Sequence, residues 1–299
     1  MTIKKEIKVK HLYNISMNAL FLLNKNSGHG LSEKKKQFII SELEQVFSPV
    51  TMIESKSKKH FITIAQKACG EYDVLVFAGG DGTFNMVANA IADQKNRPIL
   101  GIIPTGTIND AAKIIGVGGG VKKALKVIKQ QKTKKIDIGK LNDTYFVYVA
   151  VIGAYADIPY TTKRNKKARV GRLAYYFKAV PKVFEKRQLK GTITFEDGTS
   201  TVFEAPFIMV MNGAHIGGFK INPKSNSFDG EMDLFWTEPT IFNSLLRYIL
   251  FRSKIHRYKF REITIRTDCL DNWDLDGEKG PKGDVKIKVF SEHLEIFSR

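Results

Sequence analysis

A chain of 299 residues with 43% hydrophobic and 11% aromatic content can build a substantial core, as one large domain or two ordinary ones. Lys and Arg number 48 against 30 Asp and Glu, a formal charge of +18, which implies an anionic partner: nucleic acid, a phosphate compound or an acidic membrane surface. No run approaches the ~18–20 apolar residues of a membrane span, the basic N-terminus lacks a signal-peptide core, and Cys69 and Cys269 have no metal-ligand spacing, so a soluble, cytoplasmic protein with two buried structural thiols is expected.

In the first half, short apolar runs alternate with helical spacing. Strands are expected at 19–23, 74–78 and 100–103, and helices at 33–47, 60–69, 85–92, 109–115 and 121–130. Continuous apolar strands separated by helices predict an α/β domain with a parallel sheet covered on both faces. From about residue 133 the texture becomes rich in Val, Ile, Thr and Phe with turn signals such as Asp229-Gly230. Strands are expected at 146–151, 191–195, 207–211, 231–236, 261–267 and 285–289, and helices near 173–184 and 241–251. The second half therefore reads as a mostly antiparallel β domain, with the division at 136/137 and a cleft between the two able to hold a site.

Three polar glycine segments follow the strands of the first half. Gly79-Gly80-Asp81-Gly82-Thr83 succeeds an apolar run; glycine permits the abrupt turn and a close backbone approach, and a helix starting near Thr83 would present free N–H groups to a phosphate. Asp81 needs a balancing cation or polar partner in such a cradle; as a bare turn, it could equally serve as a helix cap. Asn24-Lys25-Asn26-Ser27-Gly28 and Pro104-Thr105-Gly106-Thr107-Ile108-Asn109-Asp110 complete the set. In a parallel sheet all three lie at the carboxyl edge, where open α/β folds bind ligands, so a nucleotide site is expected. The Walker loop, the dinucleotide fingerprint, the protein-kinase catalytic loop and the GxSxG elbow are all missing from the sequence.

Four segments in this order, GGDGTFNMVANAI, IIPTGTINDAAKIIG, NGAHIGGFKINPKSNSFDGEMDL and DLDGE, resemble the bacterial diacylglycerol kinase and lipid kinase family. The resemblance runs from about residue 17 to the end. It implies a phosphofructokinase- and NAD-kinase-like nucleotide domain followed by a β-sandwich lipid domain whose last residues can pack back on the first. ATP contacts are implied at Asn24, Lys25, Asn26, Ser27, Gly28, Ser55, Gly79, Gly80, Asp81, Gly82, Thr83, Phe84, Asn85, Met86, Thr107, Asn109 and Asp110. It implies Glu278 as general base, Asp276 as a supporting acid, and a structural Mg2+ on Asp229 with the carbonyls of Asn226 and Glu231, linked through water to Asp81. The chain departs from the family pattern with Lys25 for proline, Met86 for glutamate and Ala111 for phenylalanine.

Taken without the resemblance, Asp274–Glu278 and Asp229-Gly230 are also ordinary hairpin turns. His215, in a glycine-rich segment, receives no catalytic role. The stretch from Lys163 to Lys190 and that from Arg247 to Arg261 interleave basic and aromatic residues, a composition suited to transient contact with an anionic membrane. Nucleic-acid recognition motifs are missing. The expectation is a cytoplasmic, peripherally membrane-associated kinase that uses ATP and Mg2+ on a diacylglycerol-like lipid and is compatible with a homodimer. A soluble acceptor and a catalytically silent relative are the alternatives.

Overall fold

The computed structural model describes residues 16–24, 31–106, 108–154, 188–216, 219–220, 222–238 and 255–299. The helices expected at 173–184 and 241–251 lie outside these residues, as do Lys25, Asn26, Ser27, Gly28 and Thr107. In chain order the first elements are β1 (Ala19–Asn24), α1 (Glu33–Leu43), β2 (Val50–Ser55), α2 (Lys58–Lys67), β3 (Val74–Gly79), α3 (Asp81–Ile91), β4 (Ile99–Pro104), α4 (Asp110–Ile114) and α5 (Val121–Lys129). The chain forms two compact units: Met1–Gly106 with Ile115–Lys134 and Leu294–Arg299, and Thr107–Ile114 with Lys135–His293.

The first unit is a parallel sheet of order β2-β1-β3-β4. Every residue of β3 and β4 is buried, as inner strands of a sheet covered on both faces require. The covering helices start where a hydroxyl can accept an orphan N–H: Ser32 Oγ accepts from Lys35 N, and Ser57 Oγ from His60 N. They then bury Ile39 and Leu43 of α1 and Phe61, Ile64 and Ala65 of α2. The strand β2 has no counterpart among the expected elements. It pairs with β1 alone and keeps only Ser55 fully buried, so it lacks the apolar run that marks an inner strand.

The second unit is antiparallel. Its strands are β5 (Thr133–Leu141), β6 (Thr144–Phe146), β7 (Val149–Gly153), β8 (Leu189–Phe195), β9 (Ser200–Ala205), β10 (Phe207–Met211), β11 (His215–Ile216), β12 (Phe219–Lys220), β13 (Met232–Trp236), β14 (His256–Phe260), β15 (Glu262–Thr267), β16 (Asn272–Leu275), β17 (Glu278–Lys282) and β18 (Val285–Phe297). One layer runs β18-β15-β8-β9 and the other β14-β13-β10-β7-β16-β17. Ile193, Phe203, Ile263 and Ile287 from the first layer meet Ile152, Val210, Leu234 and Trp273 from the second in one buried cluster, which is the sandwich core. The two ends of β18 serve different units: Ile287 pairs with Ile263 of β15, and Ile296 with Leu100 of β4.

Both cysteines are free, but neither is fully buried. Cys69 lies just past the end of α2, and Cys269 in the loop after β15, where the fold leaves them partly open. Burial still pushes the Cys69 thiol above its ordinary pKa.

Candidate functional site

The registers of the first sheet bring four strand ends into one row. Asn24 of β1 pairs with Ser55 of β2, Leu23 with Ala78 of β3, and Gly79 of β3 with Pro104 of β4. The polar residues that follow each strand therefore leave the sheet side by side, and Thr105 N closes the row by donating to the Gly79 carbonyl (2.9 Å). Helix α3 opens at this edge with Gly80 as its N-cap and no side-chain cap, two residues earlier than the expected Thr83. Its first turn is tight: Thr83 N and Phe84 N both donate to the Gly80 carbonyl (3.0 and 3.1 Å). Gly79 is obligatory here, since a Cβ would come within 2.3 Å of the buried Thr83 side chain.

Not every residue expected at the nucleotide points its side chain outward. Phe84 is fully buried and packs on Phe77 with ring centroids 5.5 Å apart, so only its backbone can face a ligand. Met86 is buried as well, and Asn85 is tied to Asn89, whose amide donates to both the Asn85 carbonyl and its side-chain oxygen. By contrast, the Ser55 hydroxyl is buried and has no hydrogen-bond partner among the described residues. Asn109, with φ 55, and the buried Asp110, ion-paired to Lys113 at 2.6 Å, belong to the second unit.

In the second unit, Asp276 and Gly277 have φ of 56° and 88° and connect Leu275 to its cross-strand partner Glu278. Positive φ at both central residues of a two-residue loop is the type I′ hairpin turn, for which Asp-Gly is a preferred pair. The Asp276 carboxylate is buried and accepts three backbone N–H groups, from Val147 (2.6 Å), Tyr148 (2.9 Å) and Val149 (3.0 Å). Its own N–H donates to the Val149 carbonyl, and Gly277 N donates to Asp274 Oδ1. Asp276 is thus the peg that fixes the hairpin to the segment between β6 and β7. Glu278 stands half-buried at the first position of β17, directly after the turn.

A second acidic turn lies at Asp229-Gly230. The wholly buried Asp137 holds it, accepting from Gly230 N (2.7 Å) with one oxygen and from Glu292 N (2.8 Å) with the other. Burial raises the Asp137 pKa, opposed by those two N–H bonds. Asn212 donates its amide to the carbonyls of Asp137 (2.6 Å) and Val147 (2.9 Å), which joins this turn to the hairpin's anchor. Neither Asp137 nor Asn212 was singled out from the sequence; the signal for Asp137 is a carboxylate interrupting the apolar run Ile136-Asp137-Ile138.

The diacylglycerol kinase catalytic domain model matches residues 18–141. A diacylglycerol kinase of Staphylococcus epidermidis is 32% identical over 236 residues, 76% of this chain and 75% of that one. The chain belongs to the diacylglycerol kinase family. A Staphylococcus saprophyticus diacylglycerol kinase is 28% identical over 94% of this chain and 95% of its own. The crystal structure of a diacylglycerol kinase from Bacillus anthracis superposes with a TM-score of 0.79 at 25% identity, covering 95% of this chain and 98% of that one.

The family implies a nucleotide and a metal, and the two fit this structure differently. For a nucleotide the residues fit: a helix start with Gly80 as N-cap and no side-chain cap, and a Ser55 hydroxyl with no hydrogen-bond partner among the described residues, lie at one strand row. For a structural metal on Asp229 they do not. Asp229 Oδ1 accepts from Glu231 N (3.2 Å), and Oδ2 is ion-paired with the Lys259 ammonium, which also reaches Glu231 at 3.4 Å. The hydrogen bond to Asp229 raises the Lys259 pKa against the opposing effect of burial. No group of three or more His, Cys, Asp or Glu side chains suited to a metal occurs among the described residues.

The second basic aromatic stretch is described from residue 255 on. Arg257 grips Asp233 through Nε (3.0 Å) and a terminal nitrogen (2.8 Å), Lys259 pairs with Asp229, and Arg261 lies 3.9 Å from Glu231. These ion pairs lie at the surface, where Arg257, Lys259 and Arg261 are exposed, while Phe260 is buried. The rest of that stretch up to 254, and the Lys163–Lys190 stretch up to residue 187, lie outside the described residues. No helix among the described residues is long and apolar enough to cross a membrane.

Proposed function

We propose that the protein is a lipid kinase that transfers the γ-phosphoryl group of ATP, as its Mg2+ complex, to the hydroxyl of a diacylglycerol-like lipid at a membrane surface. The observation that carries the reading is the strand row of the first unit, where Asn24, Ser55 and Gly79 converge on the uncapped start of α3. Oriented N–H groups at a helix start favour phosphate oxygens, and the absence of a side chain at Gly80 lets them approach. The bound nucleotide supplies the phosphoryl group and its metal neutralises the phosphates.

The chain's own residues would then do three things. Ser55 donates or accepts one hydrogen bond at the nucleotide, Asp81 in the first turn of α3 orients the cation that accompanies the phosphates, and Glu278 takes the proton of the attacking hydroxyl. As the acceptor oxygen bonds to the γ-phosphorus, the bond to the β,γ-bridging oxygen breaks and ADP leaves. Asp276 touches no substrate in this scheme; it is a positioning residue that keeps Glu278 on its hairpin.

The test is transfer of label from γ-labelled ATP, with Mg2+, to a panel of lipids in anionic mixed micelles and, in parallel, to soluble hydroxyl compounds including NAD. Labelling of one lipid class supports the reading. Labelling of a soluble acceptor alone would replace it with a soluble-substrate kinase, and no labelling at all would leave a silent relative.

A further inference from the structure

Acidic and basic side chains meet at β13, β14 and the turn that leads into β13. Asp233 lies in β13, with Glu231 and Asp229 in the turn segment before it; Arg257 and Lys259 lie in β14 and Arg261 just past its end. Side chains two apart on a strand share a face, so Arg257 and Lys259 share one, and the register sets Asp233 opposite Lys259 and Phe235 opposite Arg257. The contacts follow: Arg257 on Asp233, Lys259 on Asp229 and Glu231, and Arg261 near Glu231. Lys259 is the cation of this group that reaches beyond the strand pair into the Asp229-Gly230 turn.

The buried Asp137 carboxylate, which accepts from Gly230 N and Glu292 N, feels the negative charge of both Asp229 and Glu292, so a cation at this turn offsets like charge. A magnesium ion demands oxygen ligands at about 2.0–2.1 Å in near-octahedral array. Of the two Asp229 oxygens, Oδ1 accepts from Glu231 N and Oδ2 is held by Lys259, so a metal ion there would displace one of these contacts against the repulsion of the neighbouring ammonium. We infer that Lys259 is the built-in counter-cation of the Asp229 turn, taking the position that the family resemblance gives to a structural metal, so that this turn is held without a divalent ion. The metal demand of the protein is then confined to the nucleotide's own Mg2+.

The test uses nucleotide-free protein and stability and binding readouts, so it stands apart from whether the kinase reading holds. Thermal unfolding is followed in EDTA and in excess Mg2+, and bound Mn2+ is counted by electron paramagnetic resonance, for the wild type, Lys259→Met and Lys259→Arg. The wild type and Lys259→Arg are expected to unfold at the same temperature in EDTA and in Mg2+ and to hold no tight Mn2+. Lys259→Met is expected to melt about 2–4 °C lower in EDTA, to regain that loss in Mg2+, and to bind one Mn2+ per chain. A wild type that is stabilised by Mg2+ and binds Mn2+ at Asp229, abolished by Asp229→Asn, would overturn the inference. So would a Lys259→Met variant that shows neither the loss nor the metal response.

Discussion

Replacing Asp276 by asparagine separates a positioning carboxylate from a catalytic one. Oδ1 of Asp276 receives Tyr148 N and Val149 N, and Oδ2 receives Val147 N. An amide keeps one acceptor oxygen but sets its NH2 against an N–H that lies 2.6 Å from the present oxygen. Two charge-assisted bonds drop to roughly half their strength, and one buried N–H is left unpaired at about 1–3 kcal/mol. The expected loss is about 2–4 kcal/mol for Asp276→Asn and about 4 kcal/mol or more for Asp276→Ala, which orphans all three donors. Urea unfolding followed by circular dichroism measures this, with the slope of the transition unchanged if only stability has altered. An Asp276→Asn variant as stable as the wild type, yet inactive, would refute the positioning role and return Asp276 to the chemistry.

Three further outcomes are expected. Ser55→Ala removes a buried hydroxyl that has no partner among the described residues, so the nucleotide-free protein should unfold at the same or a higher denaturant concentration, while calorimetry should show ATP affinity reduced about tenfold for one lost hydrogen bond. Gly79→Ala forces a Cβ onto Thr83, and the displaced α3 start should cost about 1–3 kcal/mol in stability together with most ATP affinity, both measurable on one sample. Cys69, whose thiol burial disfavours as thiolate, should react with iodoacetamide at pH 8 more slowly than free cysteine; labelling at the free-thiol rate would contradict its partly buried setting.

What could be read from the sequence divides along physical lines. Inner strands β3 and β4 announce themselves because both faces are buried, which leaves a continuous apolar run. The edge strand β2 hides, since its outward face meets water and only Ser55 is fully buried. Strand β14 hides for a different reason: Arg257, Tyr258, Lys259 and Phe260 carry no continuous apolar run, and their pairing with β13 and the ion pairs of Arg257 and Lys259 arise only in the fold. The Asp276-Gly277 turn is legible locally from its residue pair, but the function of the Asp276 side chain depends on N–H groups more than a hundred residues away. Asp137 and Lys259 escape notice on the same ground, because each acquires its meaning only from partners brought by strand pairing. The general-base role proposed for Glu278 rests on the resemblance of DLDGE, since a turn followed by glutamate carries no signal of chemistry by itself.

The most direct test of phosphoryl transfer assisted by Glu278 is a single-turnover comparison of the wild type with Glu278→Gln, in mixed micelles of the lipid acceptor, with ATP binding measured on the same preparations. Unchanged ATP affinity and thermal stability with transfer slowed by about 10²–10⁴-fold are the predicted results, the range expected for a lost general base. Transfer within a few-fold of the wild type would contradict the account and move the proton acceptor elsewhere.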